Sequence, residues 1–246
     1  METGKTSKYF KYAIGEIFLV VIGILIALQI NNWNENRKLQ QREVQILKEI
    51  KSDLFQTKND VIRTADRHKE ALSLSQYLLD AIRAKVSYSD SIYRAFSKIG
   101  SDYEIVPKTS GFDNLKTIGL NTISNDSLRI AITNIFQLSF TRLQSDFQGK
   151  NKEFDISNMM FPYQKKYFEI DFSKPRKMPR KYSDTLNLYS LKIKDYQNFI
   201  LDMDLFKTTQ LAMFTRSNLV ESQMEIAEEI DKIIELIEQE LKKKDQ

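Results

Sequence analysis

A single histidine, His68, closes the run Asp66–Arg67–His68, and it bounds the chemistry open to this chain of 246 residues. Zinc-type sites and metalloprotease helices need several imidazole or thiolate ligands. With one histidine and no cysteine, neither kind can be assembled within one chain. The lack of cysteine also excludes disulfides, iron–sulfur ligation and cysteine nucleophiles. None of the seven glycines falls in a phosphate-cradling spacing. Glu169 and Asp171 alternate with aromatics in "YFEIDF". Two such carboxylates could work as acid and base in a pocket, but the same alternation describes the solvated side of an amphipathic segment, which is the expected role. His68 falls on an apolar seam and is expected to be a core or partner-facing residue. No catalytic residue, cofactor or metal site is expected, and the chain is read as non-enzymatic.

The densest basic run is "KPRKMPRK", with Lys174, Arg176, Lys177, Arg180 and Lys181 supplying five positive charges. It follows an aromatic cluster, Phe161, Tyr163, Tyr167, Phe168 and Phe172. Basic residues among aromatics suit nucleic acid through counterion release and stacking, or an anionic headgroup surface. The expected role is an exposed loop able to contact an anionic surface. Nucleic acid is the less favoured partner, and a small-molecule ligand is not specified by the sequence. The net charge of +4 argues for no polyanion.

What positions these groups begins with the stretch "YAIGEIFLVVIGILIALQINNWNE", Tyr12 to Glu35. From Tyr12 to Ile30 it carries one charge, Glu16. As a helix it would cover about 28 Å, close to the roughly 30 Å of a bilayer core. Tyr9 and Tyr12 at one end and Trp33 at the other suit interfacial anchors. The span is expected over 12–33, after a short basic tail over 1–11. A signal peptide would have a shorter apolar region and a small-x-small cleavage site; "ALQINNWNE" has none, so an uncleaved anchor is expected. At about 100° per residue, Glu16, Gly23, Ala27 and Asn34 share one line on the helix. Small residues permit close backbone approach, and a carboxyl on that line can bond across the contact. The stripe predicts pairing with a second copy or with another membrane protein. Glu16 has a plainer reading as well, one turn inside the boundary and reaching the headgroups. Flanking charges lean weakly toward a cytoplasmic N-terminus, with the large C-terminal part outside the inner membrane, in a periplasm if the cell is Gram-negative.

Beyond the anchor the predicted fold class is all-α: the membrane helix continues into a long helix, and residues 34–246 form an antiparallel helical bundle. Neither glycine nor proline occurs between Gly23 and Gly100, nor after Pro179; both are costly inside helices. Two arms, about 34–86 and 183–243, therefore flank an irregular centre over about 87–182. On the first arm Leu47, Ile50, Leu54, Thr57, Val61, Thr64, His68, Leu72, Ser75, Leu79, Ile82 and Val86 follow steps of three and four, a heptad-like seam. Ser89 or Asp90, Asn125 or Asp126, and Asp195 are helix-start signals. "SGFDNLKTIGLNTISNDSLR" reads as a short helix, a glycine-broken turn and a new start. Met159 to Tyr182 reads as a long loop, and the second arm is expected to open near Ser183.

The anchor motif, with "SGFDNLKTIGLNTISNDSLRIAI" and the tail ending "ELIEQEL", resembles a large family of uncharacterised bacterial single-pass membrane proteins. The resemblance implies a membrane-anchored helical protein and carries over no catalytic or ligand residue. The expectation is a partner-binding, scaffold or accessory subunit of an envelope complex. An envelope hydrolase using central carboxylates, and a membrane-tethered cytoplasmic nucleic-acid binder, are the alternatives.

Overall fold

A computed structural model describes residues 3–143, 155–176 and 188–244. The fold is all-α apart from one hairpin among those residues. Helix α1 spans Thr3–Ala84, 82 residues without interruption, which at 1.5 Å per residue is about 120 Å. No glycine or proline falls in its long C-terminal part to break it. It stops where Lys85 takes a left-handed φ of 50°. The Ser89 side chain then accepts from Ile92 N and starts α2, Asp90–Ile99.

Helix α3, Ser110–Ile118, ends at Gly119, whose φ of 103° suits glycine. A 3₁₀ turn, Leu120–Thr122, leads to Asn125, which caps α4, Asp126–Asn134, by accepting from Leu128 N. The helix runs on through a π-helical turn, Ile135–Ser139. Asp155 caps α5, Ile156–Tyr167. Strands β1, Phe168–Arg176, and β2, Leu188–Ile193, pair antiparallel, with Phe168 opposite Ile193, Ile170 opposite Leu191, and an irregularity between Asp171 and Pro175. Asp195 starts α6, Tyr196–Leu201. Asp202 then accepts from Asp204 N and Leu205 N at the head of α7, Met203–Lys244, a helix of 42 residues.

Among the described residues of 87–182, α2, α3, α4 and α5 are short helices of the kind expected there. Two expectations change. The long loop expected between Met159 and Tyr182 is replaced, among the described residues, by the end of α5 through Tyr167 and by β1, with Pro162 on the exposed side of α5. The expected opening of the second arm near Ser183 lies outside the described residues. Leu188 and Leu191 belong to β2, and the long helix starts only at Met203.

The arms α1 and α7 pack antiparallel. Ion pairs Glu43–Lys244 at 2.9 Å and Lys51–Glu238 at 2.7 Å, and Lys58–Asp231 beyond them, rise along α1 as they descend α7. Buried positions on α7 recur every seven residues: Thr209, Arg216, Gln223, Ile230 and Ile237. Two apolar clusters hold the seam. The one nearer the N-terminal part of α1 joins Leu47, Ile50, Leu54 and Val61 to Phe112, Ile132 and Ile135 and to Ile226–Ile237 of α7. The distal one joins Leu78 and Ile82 to Phe96, Met160, Phe199 and Leu205. Between them the seam is polar, with Thr64, His68 and Ser75 of α1 and Arg216 and Gln223 of α7 buried.

Candidate functional site

The first described part of α1, from Gly15 on, has apolar side chains that nothing covers among the described residues. Ile17 to Ile30 are all exposed, and the helix has one apolar window long enough to cross a membrane, with a mean hydropathy of 1.8 and none of it buried. Trp33 is exposed at its end, with the Arg37 guanidinium 5.7 Å from the ring centre. Tyr9 and Tyr12 fall in the first turns of α1, and their side-chain surroundings lie outside the described residues.

Glu16, Gly23 and Ala27 are exposed and Asn34 half-buried on this helix. A methyl group added at Gly23 would meet nothing within 4 Å. Followed at about 100° per residue, the line through these residues passes Gln41, Gln45, Ser52 and Asn59, all exposed. Leu47, Ile50, Leu54 and Val61, which carry the domain core, lie on the opposite side. The helical domain thus leaves the stripe unobstructed along the length of α1.

Just beyond the anchor, acidic residues of α1 hold the 108–125 segment. Asp53 accepts from Ser110 Oγ at 3.0 Å and from Gly111 N at 2.7 Å, so a carboxylate meets the N-terminus of α3. A Cβ on Gly111 would stand 2.8 Å from Ile50 N and 2.9 Å from Glu49 C, so glycine lets the two helices touch. Glu49 accepts from Asn114 Nδ2, and Glu43 from Ser124 N and Oγ. Asn125 Nδ2 donates to Glu240, and Lys244 Nζ reaches both Glu240 and Glu43. The "SGFDN…ISND" residues are therefore docking residues, tying the end of α7 to the foot of α1.

A family model described as a family of unknown function, DUF6090, matches residues 16–197. The chain belongs to that family. The DUF6090 match begins at Glu16 of the anchor and takes in the docking segment and the hairpin, leaving α7 beyond it. No curated protein and no solved structure matches the chain.

The most constrained polar group in this DUF6090 chain is Arg216, fully buried in the seam. It donates to His68 Nδ1 at 2.9 Å, to Ile99 O at 2.8 Å and to Ser101 O at 2.9 Å. Guanidinium is a donor only, so Nδ1 of His68 is the unprotonated nitrogen. Burial, with the Arg216 charge adding to it, lowers His68 to about 4. The Tyr103 ring meets the His68 ring edge-on at 5.2 Å, and Arg67 lies 5.6 Å from the centre of Tyr103. Next to Ser101, burial and a hydrogen bond with Asp155 raise Asp102 to about 6. Burial opposes ionisation of Asp155 too, but hydrogen bonds from Asp102, Ser157 and Asn158 hold it below the usual range. The layer fastens α1, α7, the α2–α3 link and the head of α5 together. The sequence placed His68 on the seam but did not reveal Arg216, because its signal, a heptad position on α7, is one that arginine seldom fills.

The remaining predicted residues lie apart from this layer. Glu169 pairs with Lys192 at 3.3 Å, and Asp171 accepts from Ser173 N at 3.1 Å. Lys174 and Arg176 end β1, exposed, and Lys177, Arg180 and Lys181 lie outside the described residues. Among the described residues no group of three or more His, Cys, Asp or Glu is placed to hold a metal ion.

Proposed function

We propose that this chain is a single-pass membrane protein of a bacterial inner membrane whose helical domain stands on the periplasmic side, as a scaffold or accessory subunit of an envelope complex. In this reading it acts through partners and catalyses nothing itself. The observation that carries the reading is the stripe Glu16–Gly23–Ala27–Asn34, open to a neighbouring helix and facing away from the domain core. The partner in the bilayer is a second copy or another membrane protein, packed closely against the small residues, with Glu16 bonded across the contact.

Size measurement of the full chain in mild detergent tests this. An oligomer, or a stoichiometric complex with a second membrane protein, that dissociates on Glu16→Ala or Gly23→Leu supports it. A strict monomer, with no membrane protein retained, removes it. Orientation follows from single cysteines at Ser7, Ser89 and Ser183 in the otherwise cysteine-free chain. A thiol reagent confined to the periplasm should label Ser89→Cys and Ser183→Cys and spare Ser7→Cys.

A further inference from the structure

We propose that the C-terminal end of α7 and the foot of α1 together form a basic collar that gathers anionic phospholipid headgroups of the chain's own membrane. The inference rests on the membrane-anchored reading above and adds to it a lipid class and the surface that selects it. The ion pair Glu43–Lys244 at 2.9 Å, with Lys244 also 3.4 Å from Glu240, brings the end of α7 beside Glu43. Glu43 lies ten residues past Trp33, about 15 Å along the helix. A bilayer of about 40–45 Å around a core of about 30 Å has headgroup layers of roughly 5–8 Å. With Trp33 at the edge of the core, the end of α7 stands about 7–10 Å above the headgroups, close to a Debye length of about 8 Å. The lysine side chains shorten that gap further.

The charges at this end do not cancel. From Glu35 to Glu43, Asp126 to Arg129 and Glu240 to Lys244 there are seven cations and four carboxylates. Asp245, outside the described residues, makes a fifth acid. The four described acids are already held: Glu35 by Lys38 at 3.2 Å, Asp126 by Arg129 at 2.7 Å, and buried Glu43 and Glu240 by Lys244. Lys243 reaches Glu240 only at 3.6 Å, and Glu238, one turn before Lys242, is taken by Lys51. Arg37, Arg42 and Lys242 are exposed and form no ion pair among the described residues. At about 100° per residue, Arg37, Lys38 and Arg42 point about 100–140° away from Glu43, while α7 brings Lys242 and Lys243 to its own side. Cations therefore surround α1 and line no single pocket, which fits many mobile headgroups. Each one near an anionic bilayer surface adds attraction. The fold assembles the set, since about 200 residues separate Arg42 from Lys242.

The test uses the chain's one tryptophan, Trp33, as reporter. The full chain is placed in phosphatidylcholine nanodiscs in which a minor share of the lipid carries bromine near the headgroup end of its chains, either as phosphatidylglycerol or as phosphatidylcholine. Brominated phosphatidylglycerol is expected to quench Trp33 at least about twofold more than brominated phosphatidylcholine at the same share. The preference should fall to parity in high salt. It should also vanish when Arg42→Gln, Lys242→Gln and Lys243→Gln are combined, a variant that keeps Lys244 and so the docking of α7. Removing as many charges at Lys69, Lys98 and Lys207, exposed far along the domain, should leave it unchanged. Parity in the parent overturns the proposal and turns the spare cations toward an acidic partner protein. A preference that survives the triple variant belongs to Arg37 and Lys38 alone, and one lost equally in the distant variant reflects net charge; either result overturns the collar. Quenching by neither lipid would instead refute the membrane-anchored reading, and the inference with it.

Discussion

Arg216 donates to His68 Nδ1 at 2.9 Å across the α1–α7 seam, and both side chains are fully buried. The pair joins the two long helices midway between the apolar clusters, and its other partners, Ile99 O and Ser101 O, belong to the α2–α3 link. Replacing a buried ionic group by apolar side chains is often neutral. Here it should not be, because two main-chain carbonyls would lose their donor. We expect Arg216→Met to destabilise the domain by about 3 kcal/mol or more, and the double variant with His68→Leu to recover little of that loss. Thermal melting of the full chain in detergent checks this; a double variant as stable as the parent would contradict it.

The same pair makes stability depend on pH. His68 is lowered from 6.5 to about 4 in the folded chain, so the unfolded chain takes up its proton first as pH falls. Its contribution is present above pH 6.5 and is lost progressively as pH falls toward 4. Asp102 works in the opposite sense: raised to about 6, it favours the folded chain below pH 4, and that contribution is lost as pH rises to 6. The charged and titratable groups around the pair are Arg216 on α7, Arg67 on α1, and Tyr103, Asp102 and Asp155 from the link and the α5 cap. Asp102→Asn should therefore raise the melting temperature at pH 7 and steepen its fall between pH 6.5 and 4. His68→Gln should flatten that fall. Parallel melting curves for both variants and the parent would refute the assignment.

At the end of the domain nearer the apolar stretch of α1, the contact between α3 and α1 is set by Gly111. Gly111→Ala puts a methyl against the backbone of Glu49 and Ile50 at under 3.0 Å, and backbone cannot swing aside as a side chain can. The expected cost is about 1–3 kcal/mol of overpacking. Asp53→Ala removes the acceptor of Gly111 N and Ser110 Oγ, at about 1–3 kcal/mol for a buried donor left unpaired. The two residues share one contact, so their effects should fall short of additive. Denaturant melts of both single variants and the double would show it; full additivity would mean that the contact is not shared.

Much of this arrangement was legible in the sequence wherever local chemistry decides. The unbroken run of α1 beyond Gly23 follows from the absence of glycine and proline there, and Ser89, Asn125 and Asp195 cap the helices that they were expected to start. The seam through Leu47, Ile50, Leu54, Thr57, Val61 and His68 is buried. It then shifts, with Ala71 and Leu78 joining it while Leu72 is only half-buried, because the polar layer and the packing of α2 change which face of α1 is covered. The hairpin was not legible: Ile170 and Phe172 are exposed and prolines interrupt the run, so no buried alternation marks β1. Arg216 was hidden for a related reason. What makes a buried arginine tolerable is a set of carbonyls more than a hundred residues away, and no local pattern announces them.

The stripe Glu16–Gly23–Ala27–Asn34 yields the sharpest geometric prediction, because the chain has no cysteine to confuse a cross-linking scan. In a self-paired α1, single cysteines at Gly23 and Ala27 should form disulfide dimers under mild oxidation. Cysteines at Val21 and Leu25, on the opposite side of the helix at about 100° per residue, should not. Beyond the apolar stretch the same line carries Gln41, Gln45, Ser52 and Asn59, a polar exposed face that water solvates well and that supplies no apolar seam. Yields should therefore fall from Asn34 through Gln41 to Ser52 as the stalks separate. Yields that ignore helical phase, or that peak at Leu25, would mean that this stripe is not the contact. A yield holding steady out to Asn59 would mean that the stalks stay paired, and that the polar face is itself part of the interface.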